Sequence, residues 1–471
     1  MEERLLNPTV AIILVVAFGL AWIYFGFVLG KRSKGAEGFM LAGRNVGLAL
    51  GTATAMATWV TSNTIMLAPK FALQMGIWGI LAYCTASFSL FLFAPMSKRI
   101  KELLPNAFTS GDFLRLRYGK STWILFLIIS MVYSLAWLVS MAMAGGIVLQ
   151  ALSGLPYMIG MSAILFVCVA YTIVGGMYAV IGTDFIQSVI ILIGVVVVGV
   201  ALLNHTGMEQ IYTSIETQRP QLFKLFMPVA LISLFNNMFF GFGEVFHNNV
   251  WWSRAFAIRE KYTMKAYFLS GLMWFPIPIA AGFIGLAAPA LGVDLTNSDM
   301  VGPLVAATAL GKAGALIIFV VVYCSLASSI DSLLAATSDL VSEDILGKLF
   351  KRNPNEQDRK KINVAVILGL GIFTWALAAT QAGDLIQVLF LSGPFVASLI
   401  FPIVCGLYWE KVTSRVSNIA ILLGAGIGLW TYFNVGWYAA SLMAALISGT
   451  ITMVGAQFNN EKFNWERLKE S

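Results

Sequence analysis

Apolar runs of about 20 residues, the length that spans a bilayer, recur along the whole chain and are separated by short polar stretches. Hydrophobic and polar residues do not alternate within the runs, so the pattern predicts membrane-spanning helices rather than barrel strands. Thirteen runs, segments 1 to 13, cover residues 8–30, 46–75, 77–102, 122–153, 156–175, 176–204, 225–253, 263–292, 302–343, 362–381, 384–409, 415–433 and 436–457. Only residues 175–177 separate segments 5 and 6, so one continuous helix is an alternative there.

The positions of the basic residues orient these segments in the membrane. With the N-terminus outside, 25 of the 30 Lys and Arg residues fall on the cytoplasmic side, as the positive-inside rule requires. The cytoplasmic stretches are 31–45, 98–120, 254–265, 344–361, 410–415 and the residues after 457. We therefore expect a multi-pass protein of the plasma (inner) membrane, with its C-terminus in the cytoplasm.

Composition excludes several classes of function. Hydrophobic residues make up 59% of the 471 residues and charged residues only 11%, against about 25% charged in ordinary globular chains. A soluble catalytic domain, and hence an enzyme, is not expected. The formal charge of +7 follows from the topology and does not indicate nucleic-acid binding. Two His and four Cys residues without ligand spacing predict no transition-metal site, and no feature points to an obligate protein partner.

Two segments are interrupted by polar residues where a membrane helix is normally apolar. Segment 2 carries seven hydroxyl or amide side chains, followed by Pro69. Segment 7 carries six Asn, Glu or His side chains together with Gly241 and Gly243. The two segments run in opposite directions and lie five segments apart, which indicates an inverted repeat of segments 2–6 and 7–11. Helices that are merely kinked by Pro and Gly against their neighbours are the alternative.

Segment 9 contains the most specific local pattern. Ser325, Ser328, Ser329 and Ser332 recur at helical spacing and share one face, beside Asp331. Several oxygen ligands suit a hard cation, and neutral ones bind sodium weakly enough to release it. The same spacing also fits close helix packing, in which serines bond to their own backbone.

Two further acids lie at membrane depth, where ionisable side chains are costly and point to function. Asp184 belongs to segment 6 and suits either an ion path or a helix cap. Glu244 in segment 7 is expected to line a central cavity. Lys70 in segment 2 is expected to extend toward the outer surface.

With these motifs the chain resembles the sodium/solute symporter family over nearly its full length. Residues 37–44 (EGFMLAGR) resemble that family's (F/Y)xLAGR signature, and residues 110–119 (SGDFLRLRYG) resemble its xEFLxxRYG loop. Residues 175–187 are similar to its GGxxAVxxTDxxQ stretch. Residues 248–254 (NNVWWSR) are closest to the urea active transporter branch, although that branch commonly has an acid where Asn248 stands.

The resemblance implies an all-α, leucine-transporter-like core of two five-helix inverted repeats, with about 13 transmembrane helices in all. The implied division of the chain is a first helix and loop, two core repeats, and two accessory helices with a tail. These regions cover residues 1–45, 46–204, 205–409 and 410–471.

The family's sodium ligands, carried over by position, fall on the interruption of segment 2 and the serine face of segment 9. They are the backbone carbonyls of Ala57, Val60 and Ser325 and the hydroxyl groups of Ser328 and Ser329. Some members bind a second sodium through the acid matching Asp184 and two hydroxyl groups, at positions that hold Asp331 and Ser332 here. The acid at position 331 departs from the family pattern and suits a sodium, a proton or a cationic group of the substrate.

The substrate pocket implied by position comprises Thr58, Trp59, Asn63, Tyr83, Glu244 and Gln387. We expect sodium-coupled symport of a small polar solute (urea-like, an amino acid or an amine) across the lipid bilayer by alternating access. Sodium is the one metal expected, as the coupling ion, and no cofactor is expected. A proton-coupled carrier on the same fold and a transporter-like sensor remain as alternatives.

Overall fold

The computed structural model describes residues 6–33, 35–224, 226–293, 298–351, 355–381, 383, 385–460 and 462–469. Within these ranges the chain forms 23 α-helices, named α1 to α23 in chain order. The helices up to residue 218 are α1 Pro8–Gly30, α2 Gly35–Leu41, α3 Leu48–Trp59, α4 Ser62–Met75, α5 Ile77–Cys84, α6 Ser87–Leu103, α7 Ser110–Tyr118, α8 Lys120–Ser153, α9 Tyr157–Thr206 and α10 Met208–Gln218.

The remaining helices follow residue 227, and the longest of them, α16, continues as a π-helix over Leu340–Leu349. They are α11 Pro228–His247, α12 Asn249–Ala257, α13 Glu260–Trp274, α14 Pro276–Leu286, α15 Ala288–Leu291, α16 Val301–Asp339, α17 Glu356–Ala379, α18 Leu385–Phe390, α19 Gly393–Ser398, α20 Ile400–Tyr408, α21 Ser414–Asn434, α22 Trp437–Gln457 and α23 Glu466–Lys469. Positions 225 and 384, where segments 7 and 11 were predicted to begin, lie outside the described residues.

Eleven helical stretches within the described ranges are long and apolar enough to cross a membrane. One further span is divided between α3 and α4, which have only 12 and 14 residues. Another is contained in α9, because its 50 residues would extend about 75 Å as a straight helix. That length is more than twice the apolar thickness of a bilayer, about 30 Å, so α9 crosses twice. The prediction of an all-α membrane protein with thirteen spans is confirmed.

The two crossings of α9 meet at Gly176. Its φ of 58° lies in the left-handed region, which glycine adopts without strain. A Cβ atom at this position would lie 2.7 Å from the carbonyl oxygen of Phe39, so α2 packs against the turn too closely for any side chain. The predicted boundary between segments 5 and 6 is confirmed, and one straight continuous helix is excluded.

Two other spans contain interruptions that the apolar pattern did not predict. Gly311, with a φ of 59°, separates the beginning of α16 from the rest of segment 9. Segment 11 is divided into α18, α19 and α20, with breaks at Leu391–Ser392 and at Leu399. Lys312 follows Gly311, and Gly393 and Pro394 follow Ser392, so local residues mark both breaks, but a hydropathy average over a whole span does not resolve them.

The middle of the bundle is formed by α16, which packs along α9, α8 and α4. Beside it, α3 contacts α9 and α13, while α11 contacts α5 and α19. α1 lies outside against α9, where a Cβ atom on Gly30 would be 2.8 Å from the Cα atom of Gly175. Close contacts through small residues of this kind hold membrane helices together. α21 and α22 pair with each other and cover α19.

One end of the bundle, called the basic end here, carries the loops around Arg44, Arg115, Arg259 and Lys348. Val46 pairs with the chain after α12: its N–H donates to the carbonyl oxygen of Ala257 and its own oxygen accepts from the N–H of Arg259, each at 3.0 Å. This parallel bridge connects the beginning of α3 to the end of α12. Helices from the two predicted repeats are therefore joined at this end.

At the opposite end, Lys70 on α4 forms a buried ion pair with Asp299, which lies two residues before α16. The Nζ–Oδ1 distance is 2.8 Å, and both residues are about 5% exposed. The expectation that Lys70 extends to the surface is therefore wrong. A carboxylate close by removes the need for the ammonium group to reach water.

Asp112 on α7 connects the basic end to the π-helix that follows α16. The ammonium group of Lys348 donates to Oδ1 at 2.6 Å, and the N–H of Phe108 donates to Oδ2 at 3.2 Å. Burial alone would raise the pKa of Asp112. The charge of Lys348, these two hydrogen bonds and the charge of Arg115 outweigh burial and lower this pKa below its ordinary value.

Replacement of Asp112 by Asn should reduce the free energy of unfolding by about 2 kcal/mol at neutral pH, since hydrogen bonds to charged groups contribute about 1.5–3 kcal/mol. A lowered pKa stabilises the folded state at pH values above the unfolded-state pKa of about 3.9. The difference in the free energy of unfolding between wild type and Asp112→Asn should therefore be complete at neutral pH. It should decrease as the pH falls through the folded-state pKa. Thermal unfolding in detergent across this pH range measures it.

Asp358→Asn is the matched control, because it removes the same charge from a side chain that is 51% exposed. An exposed ion pair contributes little, so this variant should unfold like wild type at every pH. A deficit in Asp112→Asn that stays constant into strong acid would contradict the ionic origin of the effect.

Candidate functional site

Two helices are broken in the middle of the bundle. α3 and α4 meet at Val60 and Thr61, whose ψ angles are 79° and 165°, and α11 and α12 meet at Asn248, whose ψ is 128°. The hydroxyl oxygen of Thr61 accepts from the N–H of Thr64 at 3.3 Å, and the side-chain oxygen of Asn248 accepts from the N–H of Val250 at 3.0 Å. Each break is thus capped by its own sequence, and both predicted interruptions are confirmed.

A cavity with about 500 Å³ of empty volume lies beside the first break. Aromatic rings and neutral polar groups form most of its wall. The rings include Trp59, Tyr83, Tyr133, Trp137 and Trp274, and the polar groups belong to Thr61, Asn63, Thr64 and Asn237. No acidic or basic side chain of the described chain lines it. Three of the six predicted pocket residues, Trp59, Asn63 and Tyr83, are in this wall.

Two polar atoms in the cavity wall have no hydrogen-bond partner among the described residues. The amide nitrogen of Asn63 donates to the hydroxyl oxygen of Ser140 at 3.3 Å, but its Oδ1 is buried and unpaired. The indole N–H of Trp59 is also buried and unpaired. Buried polar atoms are normally paired, so these two wall residues carry one acceptor and one donor that the described chain leaves without a partner.

Thr58 and Gln387 lie outside this cavity. Thr58 precedes Trp59 on α3, so its side chain points about 100° away around the helix. Its Oγ1 lies 3.3 Å from the Oγ of Ser332 on α16 instead. Gln387 is exposed on α18, whereas Phe390, three residues later, lines the cavity.

Glu244 also lies outside the cavity, in a layer behind its aromatic wall. Its Oε1 accepts from the indole N–H of Trp251 at 3.0 Å, and the ring of Trp251 packs edge-on against Trp59 with 5.2 Å between centroids. The carboxyl group also lies next to Tyr133, whose ring lines the cavity, so it is directly behind the cavity wall. Its Oε2 is buried and has no hydrogen-bond partner among the described residues.

The four serines of the predicted face are all buried on α16. The hydroxyl groups of Ser325 and Ser329 donate to backbone oxygens one turn earlier, at 2.8 and 2.9 Å. The hydroxyl group of Ser328 donates across to Asp184 Oδ1 at 2.6 Å. Ser332 contacts both its own helix and neighbouring helices. The face therefore combines the packing arrangement with polar contacts to other helices.

The other predicted sodium ligands, Ala57 and Val60, are fully buried at the end of α3. The carbonyl oxygen of Ala57 accepts from the N–H of Val60 at 3.1 Å, and the break places both residues in the interior. α16 packs against both α3 and α4. The contact between Thr58 and Ser332 joins α3 to α16 one turn beyond Ser328. The structure thus brings together the helices that carry the two groups of predicted ligands.

Asp184 is fully buried and is the centre of a network that links α9 to α3, α12 and α16. Its Oδ2 accepts from the hydroxyl group of Thr54 at 2.5 Å and from Nη2 of Arg254 at 3.2 Å. The same Nη2 donates to the Oγ of Ser332 at 2.6 Å, and Nε donates to the Oγ1 of Thr54 at 3.0 Å. Together with Ser328 on Oδ1, these contacts place a guanidinium among the predicted second-ion residues.

Asp331, the third residue predicted for a second ion, lies beside this network. Its Oδ2 accepts from the hydroxyl group of Tyr171 at 3.0 Å, and its Oδ1 lies 3.1 Å from the Oγ of Ser332. Both partners are neutral, and the ion pair of Arg254 is with Asp184. The structure therefore brings together Asp184, Asp331 and Ser332.

Arg254 is the important site residue that the sequence patterns missed. It was counted among the basic residues of a cytoplasmic stretch, but it is fully buried. α12 begins at the break after Asn248 and continues to Ala257, so Arg254 remains inside the bundle. The apolar residues on both sides of it, including Trp251 and Trp252, are the signal that indicates burial. When Arg254 is left out of the count of cytoplasmic Lys and Arg residues, these residues are still concentrated on the cytoplasmic side.

Comparisons with known proteins agree with this geometry. The family model "Sodium:solute symporter family" matches residues 39–424. A urea-proton symporter of Oryza sativa subsp. japonica is 26% identical, over 99% of this chain and 73% of its own length. A high-affinity proline transporter of Bacillus subtilis is 23% identical, over 94% of this chain and 98% of its own length.

A solved structure of a Na⁺-coupled sialic acid symporter, in a substrate-bound outward-open state, has the same fold. It aligns with a TM-score of 0.81 at 17% identity, over 96% of this chain and 98% of that chain. The leucine-transporter-like fold that the motifs implied is thereby confirmed.

Proposed function

Because this chain belongs to the sodium:solute symporter family, as its motifs predicted, we propose that it moves a small uncharged solute together with sodium by alternating access. Family membership makes it a secondary active symporter and a multi-pass membrane protein. The observation that carries the finer proposal is the position of the solute cavity. Trp59 lines it, and the next residue, Val60, begins the break that would supply sodium ligands.

Sodium in this proposal is bound by the carbonyls of Ala57, Val60 and Ser325 and by the hydroxyl groups of Ser328 and Ser329. Ala57 is on α3 and Val60 is at its end, both in the proposed repeat 46–204. The serines are on α16, in the proposed repeat 205–409. A bound ion would therefore hold the two repeats together. Such neutral ligands allow the ion to leave when the repeats separate.

The solute is a small molecule with both a hydrogen-bond donor and an acceptor and no net charge. The described cavity wall offers no charged side chain to a carboxylate or an ammonium group, and an unpaired ion in such a site would be costly. The unpaired Oδ1 of Asn63 and indole N–H of Trp59 match an amide-like solute. Urea has this chemistry, and one relative is named a urea-proton symporter.

The proposed coupling supplies enough energy for uptake. Moving one positive charge inward is worth about 2.3 kcal/mol at 100 mV, and a tenfold sodium gradient adds about 1.4 kcal/mol. The sum, about 3.7 kcal/mol for each sodium, supports accumulation of the solute by several hundred-fold.

In the proposed orientation the basic end lies in the cytoplasm of a cell with the protein in its plasma membrane, and the N-terminus is outside. The bridge between Val46 and Ile258 closes this end. Trp251 and Glu244 fill the space behind the cavity wall on the side of α12. Inward release of the solute would require these contacts to separate.

A proton in place of sodium is the second candidate, favoured by two fully buried acids, Glu244 and Asp331, that form no ion pair with any residue the structure describes. The relative from rice is named for proton coupling. Uptake of radiolabelled urea into proteoliposomes separates the two ions. A sodium gradient at equal pH drives the proposed transport, whereas a pH gradient without sodium drives the alternative.

Replacement of Ser329 by Ala should raise the sodium concentration that half-maximally stabilises the purified protein by about 10-fold or more, since a hydrogen bond or ligand to a charge contributes about 1.5–3 kcal/mol. Ser328→Ala should act in the same direction. Thermal unfolding is followed as sodium chloride replaces choline chloride, because a ligand stabilises the state it binds.

The matched control for these variants is Ser338→Ala. Ser338 is a fully buried serine of the same helix, and its hydroxyl group donates to the oxygen of Ala335 at 2.8 Å. This variant should respond to sodium like wild type. An unchanged sodium response in both Ser328→Ala and Ser329→Ala would disprove the proposed ligands.

Urea should stabilise the purified protein in sodium, and proline and sugars should not. Asn63→Leu and Trp59→Phe each remove one unpaired polar atom of the cavity, so each should weaken urea binding by about 5- to 10-fold, the effect of one neutral hydrogen bond of about 1 kcal/mol. Asn434→Leu, at an exposed position on α21, is the control and should bind like wild type. Stabilisation by proline but not by urea would contradict the proposed solute class.

A further inference from the structure

A groove on the outer surface of the bundle lies between α1, α3 and α9, apart from the solute cavity. Its empty volume is about 1220 Å³, which exceeds the volume of about 300–1,000 Å³ that is typical of small-molecule sites. The residues that line it include Phe25, Arg32, Val46, Leu50 and Phe185. This groove, called the α1 groove here, has room for a ligand with a long chain.

The walls of the α1 groove are apolar and only partly covered by protein. Phe25 on α1 is 36% exposed, Leu50 on α3 is 41% exposed, and Phe185 on α9 is 43% exposed. Because α1 and α9 are long and apolar enough to cross the membrane, their exposed side chains face hydrocarbon. An acyl chain therefore matches the chemistry of these walls.

The mouth of the α1 groove is positively charged. Arg32 lines it and follows Gly30, the last residue of α1. Seven residues separate Arg32 from Phe25 in the sequence, so about 10 Å of helix separates the headgroup level from the apolar wall. The guanidinium of Arg32 has no hydrogen bond or ion pair with any residue that the structure describes. No acidic side chain of the described ranges lines the groove.

Polar side chains complete this mouth. Asn45 lines it, and its Oδ1 accepts from Nε of Arg259 at 2.6 Å, so a second positive charge lies beside the groove. Tyr178 also lines the groove, and tyrosines concentrate at the boundary between membrane and water. A guanidinium without a counterion and neighbouring basic and polar groups are the chemistry that binds a phosphate group.

We propose that the α1 groove binds one anionic phospholipid from the leaflet at the basic end, with its phosphate group at Arg32 and an acyl chain along Phe25, Leu50 and Phe185. A free phosphate ion would leave the apolar walls uncovered, and a zwitterionic lipid would leave the charge of Arg32 unbalanced. An anionic lipid satisfies both parts of the groove. Lipid binding here depends on neither the solute nor the coupling ion proposed above.

The lipid site lies beside a contact between the two predicted repeats. Val46 lines the α1 groove, and its main chain also forms the bridge to Ile258 after α12. A lipid in the groove therefore packs against the segment that joins α3 to α12. It also covers the seam between α1 and α9.

Two substitutions separate the charged mouth from the apolar walls, and each has a matched control. Arg32→Gln removes the charge, and its control is Lys31→Gln, because the ammonium group of Lys31 lies 4.6 Å from the centre of the Phe27 ring and does not line the groove. Gly47→Trp places an indole ring in the groove, since Gly47 lines it and a Cβ atom there would meet no atom within 4 Å. Gly199→Trp is its control, at an equally open position of α9 outside the groove.

The experiment is native mass spectrometry of the purified full chain in detergent, titrated with phosphatidylglycerol or with phosphatidylcholine of the same acyl chains. Wild type should bind one phosphatidylglycerol about 5-fold more tightly than phosphatidylcholine, the effect of one basic residue at a membrane surface. Arg32→Gln should remove this preference, and Gly47→Trp should lose binding of both lipids. Lys31→Gln and Gly199→Trp should bind like wild type.

Several outcomes would overturn the lipid site. Equal affinity of wild type for the two lipids would do so, and so would equal losses in Arg32→Gln and Lys31→Gln, which indicate a diffuse attraction to the basic end. Lipid binding that persists in Gly47→Trp would place the lipid elsewhere. If Gly47→Trp does not fold, the comparison of Arg32→Gln with Lys31→Gln still decides, because both positions are exposed.

The same spectra test two other occupants of the groove. Binding of inorganic phosphate that is lost in Arg32→Gln, without binding of phosphatidylglycerol, would assign the mouth to a soluble anion. A dimer of wild type that Gly47→Trp abolishes would show that a second copy of the chain covers the groove. Either result would overturn the proposal of a lipid.

Discussion

Every backbone N–H and C=O group at membrane depth needs a partner within the protein, because lipid offers none. The two broken helices are possible only because the chain meets this requirement locally, with Thr61 and Asn248 as caps. The breaks in turn determine the rest of the centre. The first places the end of α3 beside the cavity, and the second lets α12 begin in the interior and carry Arg254 to Asp184.

The cavity wall and the buried polar network around Asp184 meet at two consecutive residues of one helix end. Trp59 faces the cavity, while Thr58 faces Ser332 and, through it, Asp331 and Arg254. A small rotation of the end of α3 would therefore move both surfaces together. This geometry connects the cavity wall to the polar network without a long chain of intervening residues.

Hydropathy and polar interruptions predicted the helical spans, the turn at Gly176 and both breaks, because these features depend on local sequence. The positions of side chains beyond a break could not be predicted in the same way. Helical spacing across Asn248 is lost when the helix stops, so the sequence did not show that Trp251 would turn back to cover Glu244. Arg254 was missed for a related reason: a count of basic residues treats every arginine at the end of an apolar run as a loop residue.

The contact between the beginning of α3 and the end of α12 at the basic end has a main-chain part and a side-chain part. Main-chain atoms of Val46, Ala257 and Arg259 form two hydrogen bonds of about 1 kcal/mol each, and any residue except proline supplies these atoms. In addition, Nε of Arg259 donates to Oδ1 of Asn45 at 2.6 Å, and the ammonium group of Lys101 donates to main-chain oxygen atoms just before Arg259. Substitution of either basic residue would therefore loosen this contact, whereas most substitutions of Val46 would leave its hydrogen bonds in place.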